Sequence, residues 1–316
     1  MQKTHIKLIP FVVIATFLTV VAVIMTSHSA RAAQATVNLQ TAAPFAILAG
    51  TPEISDAGNS SVINGNVGLS PETGASIGLN CSQVTGTIYS VDATGPLPCR
   101  ITDGPLLVNA KNDLTAAYND AAGRTPLTTV PTELGGTTLV AGVYDSSSTT
   151  FGISAGAGAL VLDGQGDPSS VFIFQAPFSG TGLNVGAGST ITLVNGAQAC
   201  NIFWRVDTAN INSTANFKGT ILALNSITVQ NGATIEGRLL ARNGSVTLIN
   251  DTITVPTCAA TDTTGGTGSG GSEDVVPGFP NTGDIQGQYI FWGVLTALIV
   301  ASGSLIAYLA YKKRSA

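Results

Sequence analysis

The stretch from Phe217 to Thr254 reads FKGTILALNSITVQNGATIEGRLLARNGSVTLINDTIT, and its second half nearly repeats its first. Gly219, Ala223 and Asn225 recur after 18 residues, and the segment 226–229 recurs after 19 residues. A period of about 20 residues is typical of one coil of a β-solenoid, whereas helical repeats are longer. The segments between the Gly and Asn turns are short, β-branched and alternating, which indicates strands. The repeat therefore predicts stacked β-coils.

The composition agrees with a turn-rich β protein. The 316 residues include 37 Gly, and 10% of all residues are charged and 6% aromatic. These values predict a folded domain with a mostly uncharged surface. They exclude a disordered chain and a nucleic-acid-binding protein, because both need far more charge.

The N-terminus has the pattern of a signal peptide. A charged start, MQKTHIK, precedes an apolar run of 18 residues from Leu8 to Met25 and the small-residue site Ala30-Arg31-Ala32. This order predicts that residues 1–32 are a signal peptide cleaved after Ala32. The run is also long enough to remain as an uncleaved membrane anchor. Both interpretations predict export.

The C-terminal region, residues 279–316, has the pattern of an anchor. Tyr289 to Tyr311 is a stretch of 23 residues without a charge, and the basic residues 312–314 follow it. This predicts a membrane span with its tail in the cytoplasm. Before the span lies a stretch that resembles the cell-wall sorting signal cut by sortases between Thr and Gly, although it begins with Phe in place of the usual Leu. Its residues are Phe279, Pro280, Asn281, Thr282 and Gly283.

Two locations on the outer face of the cell follow from this region. A sortase would bond the mature chain to the cell wall, and without a sortase the chain would remain in the membrane. Residues 259–278 are rich in Gly, Ser and Thr and lack apolar periodicity, so they are predicted to be a flexible linker. The working domain is therefore residues 33–258, expected to be a monomer.

The domain contains four cysteines, an even number in an exported protein, which predicts disulfides. Three pairings are possible. Cys81 and Cys99 enclose one polar stretch, and Cys258 follows the last predicted strand, where it could be joined to Cys200 in an earlier coil. We favour Cys81 with Cys99 and Cys200 with Cys258.

The domain lacks the residues of common catalytic sites. Both histidines, His5 and His28, lie in the predicted signal peptide, which excludes His-dependent nucleophilic and metal chemistry. Residues 34–258 contain 14 Asp or Glu and 7 Lys or Arg, scattered along the chain. We therefore expect no enzymatic activity, no cofactor and no metal site. The arginines expected to be surface partners of Asp207 and Glu236 are Arg205, Arg238 and Arg242.

One segment departs from the strand pattern. Between Asp103 and Ala122, apolar residues recur with a spacing of about 3.6 residues. Asp103 is suited to cap the N-terminus of a helix, and Gly123 is suited to end it. We expect one amphipathic helix that lies along a flank of the solenoid and covers its core.

Short motifs mark the domain along its whole length: APFAILAG (43–50), VINGNVGLSP (62–71), GVY (142–144), VFIFQ (171–175), NGAQACNIFW (195–204) and GTILA (219–223). Together with the helix they resemble the microbial ice-binding proteins with a discontinuous β-solenoid, and the match covers residues 38–255. The resemblance implies a mostly β fold: an irregular right-handed β-solenoid of triangular cross-section with one long α-helix packed alongside. It also implies that N-terminal coils are inserted next to C-terminal ones, and that the partner is ice.

An ice-binding surface can be nominated from the strand pattern. Around residues 189–193, 209–213, 225–229 and 244–248, aliphatic residues alternate with small polar ones, so the polar set points outward. Coils stacked at about 4.8 Å, with about 6.6 Å between outward side chains along a strand, form a regular lattice. Such a lattice can hold ordered water that joins an ice front. The nominated residues are Thr190, Thr192, Asn210, Asn212, Ser226, Thr228, Ser245 and Thr247.

Two other functions use the same fold. A surface adhesin would bind polysaccharide or protein through exposed aromatic platforms, and the domain has few aromatic residues. A carbohydrate-active β-helix enzyme would need clustered carboxylates. Ice binding, to inhibit or shape ice growth or to attach cells to ice, is the function that we expect.

Overall fold

The computed structural model describes residues 34–259, except for 177–179 and 181. The predicted signal peptide and the predicted sorting signal and membrane span lie outside the described residues, as does the predicted linker apart from Ala259. Among the described residues, no helix is long and apolar enough to span a membrane.

Short strands and tight turns make up most of the domain. Before the helix, the strands are β1 (Phe45–Ala49), β2 (Ile54–Asp56), β3 (Val62–Asn64), β4 (Asn66–Leu69), β5 (Ile77–Gly78), β6 (Ile88–Ser90) and β7 (Arg100–Thr102). The helix α1 is Gly104–Gly123. Short 3-10 turns lie at Gln40–Ala42, Gly74–Ser76, Cys81–Gln83, Ala155–Ala157 and Ala199–Asn201.

The remaining described strands follow the helix. They are β8 (Leu127–Val130), β9 (Thr138–Val140), β10 (Gly142–Ser146), β11 (Phe151–Ile153), β12 (Leu160–Asp163), β13 (Phe172–Ala176), β14 (Leu183–Val185), β15 (Ile191–Val194), β16 (Ile202–Val206), β17 (Ala209–Ile211), β18 (Asn216–Ala223), β19 (Ile227–Val229), β20 (Thr234–Ala241), β21 (Val246–Leu248) and β22 (Thr252–Thr254).

The described strands pair in parallel and form three faces around one core. Face 1 consists of β8, β10, β13, β16, the second halves of β18 and β20, β1, β4, β6 and β7. Face 2 consists of β11, β14, β17, β19, β21, β2 and β5. Face 3 consists of β9, β12, β15, the first halves of β18 and β20, β22 and β3. The mostly β solenoid with a helix alongside is confirmed.

The stacking order differs from the chain order. Strand β1 lies between β20 and β4, β2 pairs with β21, and β3 pairs with β22. In the stack, the first coil of the chain therefore lies directly next to the last coil. This confirms the expected insertion of N-terminal coils next to C-terminal ones.

The repeat in residues 217–254 corresponds to successive coils. Strands β18 and β20 pair over eight residues, from Asn216 with Thr234 to Ala223 with Ala241. Each passes through the corner between faces 3 and 1 at a repeated glycine, Gly219 or Gly237. A Cβ at Gly237 would lie 1.9 Å from the carbonyl oxygen of Gly219, so neighbouring coils approach too closely there for a side chain.

The core is aliphatic with an aromatic cluster at its centre. The rings of Phe174 and Trp204 stack with centroids 3.9 Å apart, and Phe151 packs edge-on against both. All three side chains are fully buried. The Trp204 indole nitrogen donates to the Lys218 carbonyl oxygen at 3.1 Å, so its polar atom is satisfied.

Helix α1 covers face 1. The Asp103 side chain accepts a hydrogen bond from the Leu106 amide at 2.9 Å, which caps the helix as predicted. The helix packs against outward residues of face 1, among them Leu48, Phe203 and Leu222. Its buried residues are those that the helical spacing predicts: Leu107, Ala110, Leu114, Ala117, Tyr118 and Ala121.

A polar contact joins the middle of α1 to face 1. The Lys111 ammonium donates to the carbonyl oxygens of Ala241 at 2.8 Å and Arg242 at 2.6 Å. Burial, together with the nearby Arg242 guanidinium, lowers the pKa of Lys111 to about 7. Lys111 therefore replaces water at two carbonyl groups that the helix covers.

The expected ion pairs of the arginines are wrong. The guanidinium carbons of Arg205 and Arg242 lie 4.4 and 4.8 Å from the centre of the Tyr118 ring, where each makes a cation–π contact. Glu236 pairs instead with Lys218, at 2.8 Å. Arg238 is buried, because the N-terminal segment covers it.

The favoured disulfide pairing is confirmed. Cys81 is bonded to Cys99 and Cys200 to Cys258, so no cysteine within the described residues is free. The second disulfide joins the segment after β22 to the turn before β16, at the corner between faces 3 and 1. Next to it, the Ala259 amide donates to the Gln198 side-chain oxygen at 2.6 Å. The described chain therefore ends at the corner opposite face 2.

Candidate functional site

Face 2 carries a ladder of short uncharged residues in register. In each three-residue strand the first and last side chains point into the core, and the middle residue points outward. Ile54, Ile227 and Val246, for example, are 0% exposed. We call the outward row the central ladder; in stacking order it consists of Gly152, Asn184, Asn210, Thr228, Thr247, Ser55 and Gly78.

Hydrogen bonds between coils hold several of the outward side chains. The Ser55 hydroxyl lies 3.4 Å from that of Thr247 within the central ladder. The Asn212 amide donates to the Val185 carbonyl oxygen at 2.8 Å and to the Asn184 side chain at 3.3 Å. These contacts fix side-chain positions before any ligand arrives, which lowers the entropy cost of binding.

A second row borders the central ladder on the side of face 1. The hydroxyl groups of Ser226 and Ser245 are 3.3 Å apart in adjacent coils. The Ala209 amide donates to the Ser226 carbonyl oxygen, so Thr208 precedes β17 at the equivalent position. Face 2 therefore presents hydroxyl and amide groups in two directions, across coils and along each strand.

The cations of the described residues lie away from face 2. Lys111 and Arg124 belong to α1 and its C-terminal end, and Arg242 follows β20 and packs on Tyr118 of α1. The others belong to strands of faces 1 and 3. At the β11 end of face 2, Glu133 pairs with Gly152 across an isolated bridge. Glu53 precedes β2 and follows Ser245 in the second row, because the Val246 amide donates to its carbonyl oxygen. The central ladder itself is electrically neutral.

Two buried carboxylates support the corner between faces 2 and 3. Burial opposes ionisation of Asp56, but hydrogen bonds from Ser61 and Gln83 outweigh burial and lower the pKa of Asp56. Burial raises the pKa of Asp251 to about 6, although the amides of Ile249 and Ala233 donate to it at 2.8 Å. Both groups bind backbone amides of the turns, so their role is to hold these turns.

The structure corrects the position of Thr190 and Thr192. Thr192 lies on β15, which pairs with β12 on face 3, and Thr190 bridges to Asn216 on the same face. Strand alternation shows which residues point outward but not which of three faces a strand joins, so these two residues were assigned to the wrong face. The other six nominated residues lie on face 2 or its borders.

The register of one strand also differs from the prediction. The nominated pairs implied that Asn212 aligns with Thr228. In the structure Asn210 aligns with Thr228 and Thr247, and Asn212 lies one step beyond β17. The turn before β17, residues 207–208, is one residue shorter than the turn before β19, residues 224–226.

Two polar members of the central ladder, Asn184 and Ser55, were not among the nominated residues. Asn184 lies on β14, in a glycine-rich stretch without an obvious strand pattern. Ser55 lies on β2, about 190 residues before its neighbour Thr247. The available signal was a triplet with a polar residue between two inward residues, as in Ile227-Thr228-Val229. The same pattern occurs in Leu183-Asn184-Val185 and in Ile54-Ser55-Asp56.

The other two faces are less regular. Face 1 is covered by α1. On face 3 the Lys218–Glu236 ion pair lies across two coils, and an apolar side chain, Val62, is 45% exposed. Face 2 is the open face with small neutral side chains.

The chain belongs to the ice-binding-like family. The family model described as "Ice-binding-like" matches residues 47–254, which include most strands of the three faces. The match includes the whole of β2, β14, β17, β19 and β21, and hence the polar part of the central ladder.

Two bacterial relatives show the extent of the similarity. An ice-binding protein of Flavobacterium frigoris (strain PS1) is 42% identical over 224 residues, covering 70% of this chain and 76% of the relative. An ice-binding protein of a Colwellia species is 45% identical over 201 residues, covering 62% of this chain and 76% of the relative.

Solved structures of similar proteins share the fold. An ice-binding protein from an Antarctic biological consortium is 37% identical with a TM-score of 0.61, covering 71% of this chain and 93% of that chain. An ice-binding protein domain of Shewanella frigidimarina is 31% identical with a TM-score of 0.62, covering 71% of this chain and 99% of that chain. The domain thus corresponds to almost the whole of each solved chain, and we therefore expect residues 34–259 to fold as an independent unit.

Proposed function

We propose that the domain binds ice through face 2. The observation that carries this proposal is the central ladder: short neutral side chains in register on an open face of parallel strands. Family membership supports ice as the ligand. The proposed contact residues are Asn184, Asn210, Asn212, Thr228, Thr247, Ser55, Ser226 and Ser245.

The geometry suggests how such a face attaches to a crystal. Successive coils repeat at about 4.8 Å, and outward positions along a strand at about 6.6 Å. Hydroxyl and amide groups at these spacings hold surface water in a regular array, at a small entropy cost for each water. Water already in an array joins the crystal front, and many weak contacts add up to stable adsorption. The domain acts by binding and not by catalysis.

Ice binding is tested directly with purified residues 34–259. The measurements are thermal hysteresis, inhibition of ice recrystallisation, and partition of the protein into a slowly growing ice hemisphere. We expect the protein to be enriched in the ice fraction and to shape single crystals. If it is excluded from ice and leaves recrystallisation unchanged, the proposed function is wrong.

Binding of polysaccharide by face 2 is not favoured by the side chains present. Such sites use exposed aromatic rings to stack on sugars. The described aromatic residues are buried, apart from Tyr89, which packs against Phe45 with ring centroids 5.8 Å apart on face 1. Phe151 of β11 is fully buried, so no described aromatic side chain points outward from face 2.

We further propose that the domain is displayed on the outer surface of the cell. The supporting patterns are the signal peptide at 1–32 and the sorting signal and span at 279–316. Replacing Thr282 and Gly283 by alanine is expected to move the protein from the cell-wall fraction to the membrane fraction. If digestion of the wall releases none of the unaltered protein, attachment by a sortase is wrong and the membrane anchor is favoured.

A further inference from the structure

A groove lies at the corner between faces 3 and 1, where the two ends of the described chain meet. It encloses about 400 Å³. Its walls come from the N-terminal segment 36–43, the start of β16 and the segment 256–258, and Arg238 of β20 also lines it. Small-molecule sites typically have volumes of about 300–1,000 Å³. The groove is independent of face 2, which lies on the opposite side of the triangle.

Arg238 brings an unbalanced positive charge to this groove. Its side chain is 8% exposed. Its Nε donates to the Ala43 carbonyl oxygen at 2.8 Å, and its Nη1 lies 3.3 Å from the Thr220 hydroxyl. Within the described residues, Nη2 has no hydrogen-bond partner and no carboxylate lines the groove. One edge of the Arg238 guanidinium therefore has no protein partner in the described part of the chain and is available to bind a ligand.

The charge on Arg238 persists at neutral pH. Burial lowers the pKa of Arg238 to about 10. A buried arginine is usually matched by a carboxylate or phosphate that accepts two parallel hydrogen bonds. Neutral carbonyl and hydroxyl groups satisfy Arg238 only in part, so an anion from outside would complete its coordination.

The remaining walls limit the kind of anion. Val37, Phe203 and Pro256 are buried apolar residues that line the groove. Asn38 accepts a hydrogen bond from the Gln40 amide at 3.0 Å through its side-chain oxygen, which leaves its amide nitrogen as a donor. Donors beside an apolar wall suit a ligand with a planar oxyanion and a short apolar body.

We propose that the groove binds the carboxylate of a small amphiphilic organic acid. The carboxylate accepts hydrogen bonds from the free edge of Arg238, and the hydrocarbon part packs against Val37 and Phe203. Bound acid then bridges the N-terminal segment and the segment after β22, because the groove has walls from both.

The test uses hexanoate as the probe and residues 34–259 as the protein. Titration calorimetry or chemical-shift mapping is expected to show saturable binding at one site per domain. Hexanol, which has the same hydrocarbon chain but no charge, is expected to bind at least about tenfold more weakly, a difference of about 1.4 kcal/mol. The melting temperature is expected to rise with hexanoate and not with hexanol.

Variants separate the site from general anion binding. Arg238→Gln is expected to weaken hexanoate binding at least tenfold. Asn38→Asp, at an exposed position that keeps its contact with Gln40, is expected to do the same by repulsion without affecting the fold. Lys218→Gln removes a cation outside the groove and is expected to leave binding unchanged. Equal hexanoate affinity in the unaltered protein and Asn38→Asp, or equal affinity for hexanoate and hexanol, would overturn the proposal.

Discussion

Replacing Thr228 or Thr247 by tyrosine is expected to remove most of the ice-binding activity while leaving the fold intact. The two residues are aligned on adjacent strands of face 2, in the middle of the central ladder. A phenol ring there rises above neighbours that are no larger than asparagine. It prevents ice from approaching several coils at once and disturbs the water that these coils hold.

Stability and activity are expected to separate in these variants. Both threonines are half-buried but point outward, and such substitutions usually change the free energy of unfolding by about 0.5 kcal/mol or less. Thermal hysteresis is expected to fall below half of the unaltered value for either variant. The measurement is thermal hysteresis at matched concentration, alongside thermal unfolding.

A matched control lies on the same coils. Thr234 is exposed on face 3, at the start of β20, between Asn216 and Thr252. Thr234→Tyr makes the same chemical change outside face 2 and is expected to retain activity. If Thr228→Tyr and Thr247→Tyr are fully active, or if only Thr234→Tyr is inactive, face 2 is the wrong face.

Trp204→Ala is expected to cause the largest loss of stability. Trp204 is 0% exposed, stacks on Phe174 and packs against Phe151 and Phe217. Removing a buried Trp leaves a cavity and costs about 3–5 kcal/mol. The variant also leaves the Lys218 carbonyl oxygen without its hydrogen bond from the indole. Domains are stable by only about 5–15 kcal/mol, so Trp204→Ala is expected to lose a large share of the total stability.

Chemical denaturation measures this effect. The midpoint for Trp204→Ala is expected to fall sharply with little change in slope. Ile101→Ala is the control, because Ile101 is 52% exposed and its truncation removes few contacts. A loss for Trp204→Ala no larger than for Ile101→Ala would show that the aromatic cluster does not stabilise the core.

The local elements were predictable because their signals are local. Helix α1 was predicted with its cap at Asp103, since its apolar spacing and its capping residue lie within one segment. The inward and outward sides of β17, β19 and β21 were also predicted correctly, because alternation along a strand decides them. Such features need no knowledge of distant residues.

The assignment of strands to faces was only partly predictable. A coil of three strands has no signal that says which strand belongs to which face, and the turn lengths vary between coils. Thr192 was therefore placed on face 2, whereas Asn184 and Ser55 were missed. Ser55 reaches the central ladder only because the first coil follows the last in the stack. Arg238 was placed at the surface by its charge, but the segment that covers it is distant in sequence.

The disulfide between Cys200 and Cys258 has a mechanical consequence. Tension applied to the chain beyond Ala259 passes at Cys258 into Cys200, and from there into β16 in the middle of face 1. Strand β22 is thus not peeled from its neighbours one hydrogen bond at a time. The load enters at the corner between faces 3 and 1, so its point of application is separate from the central ladder on face 2.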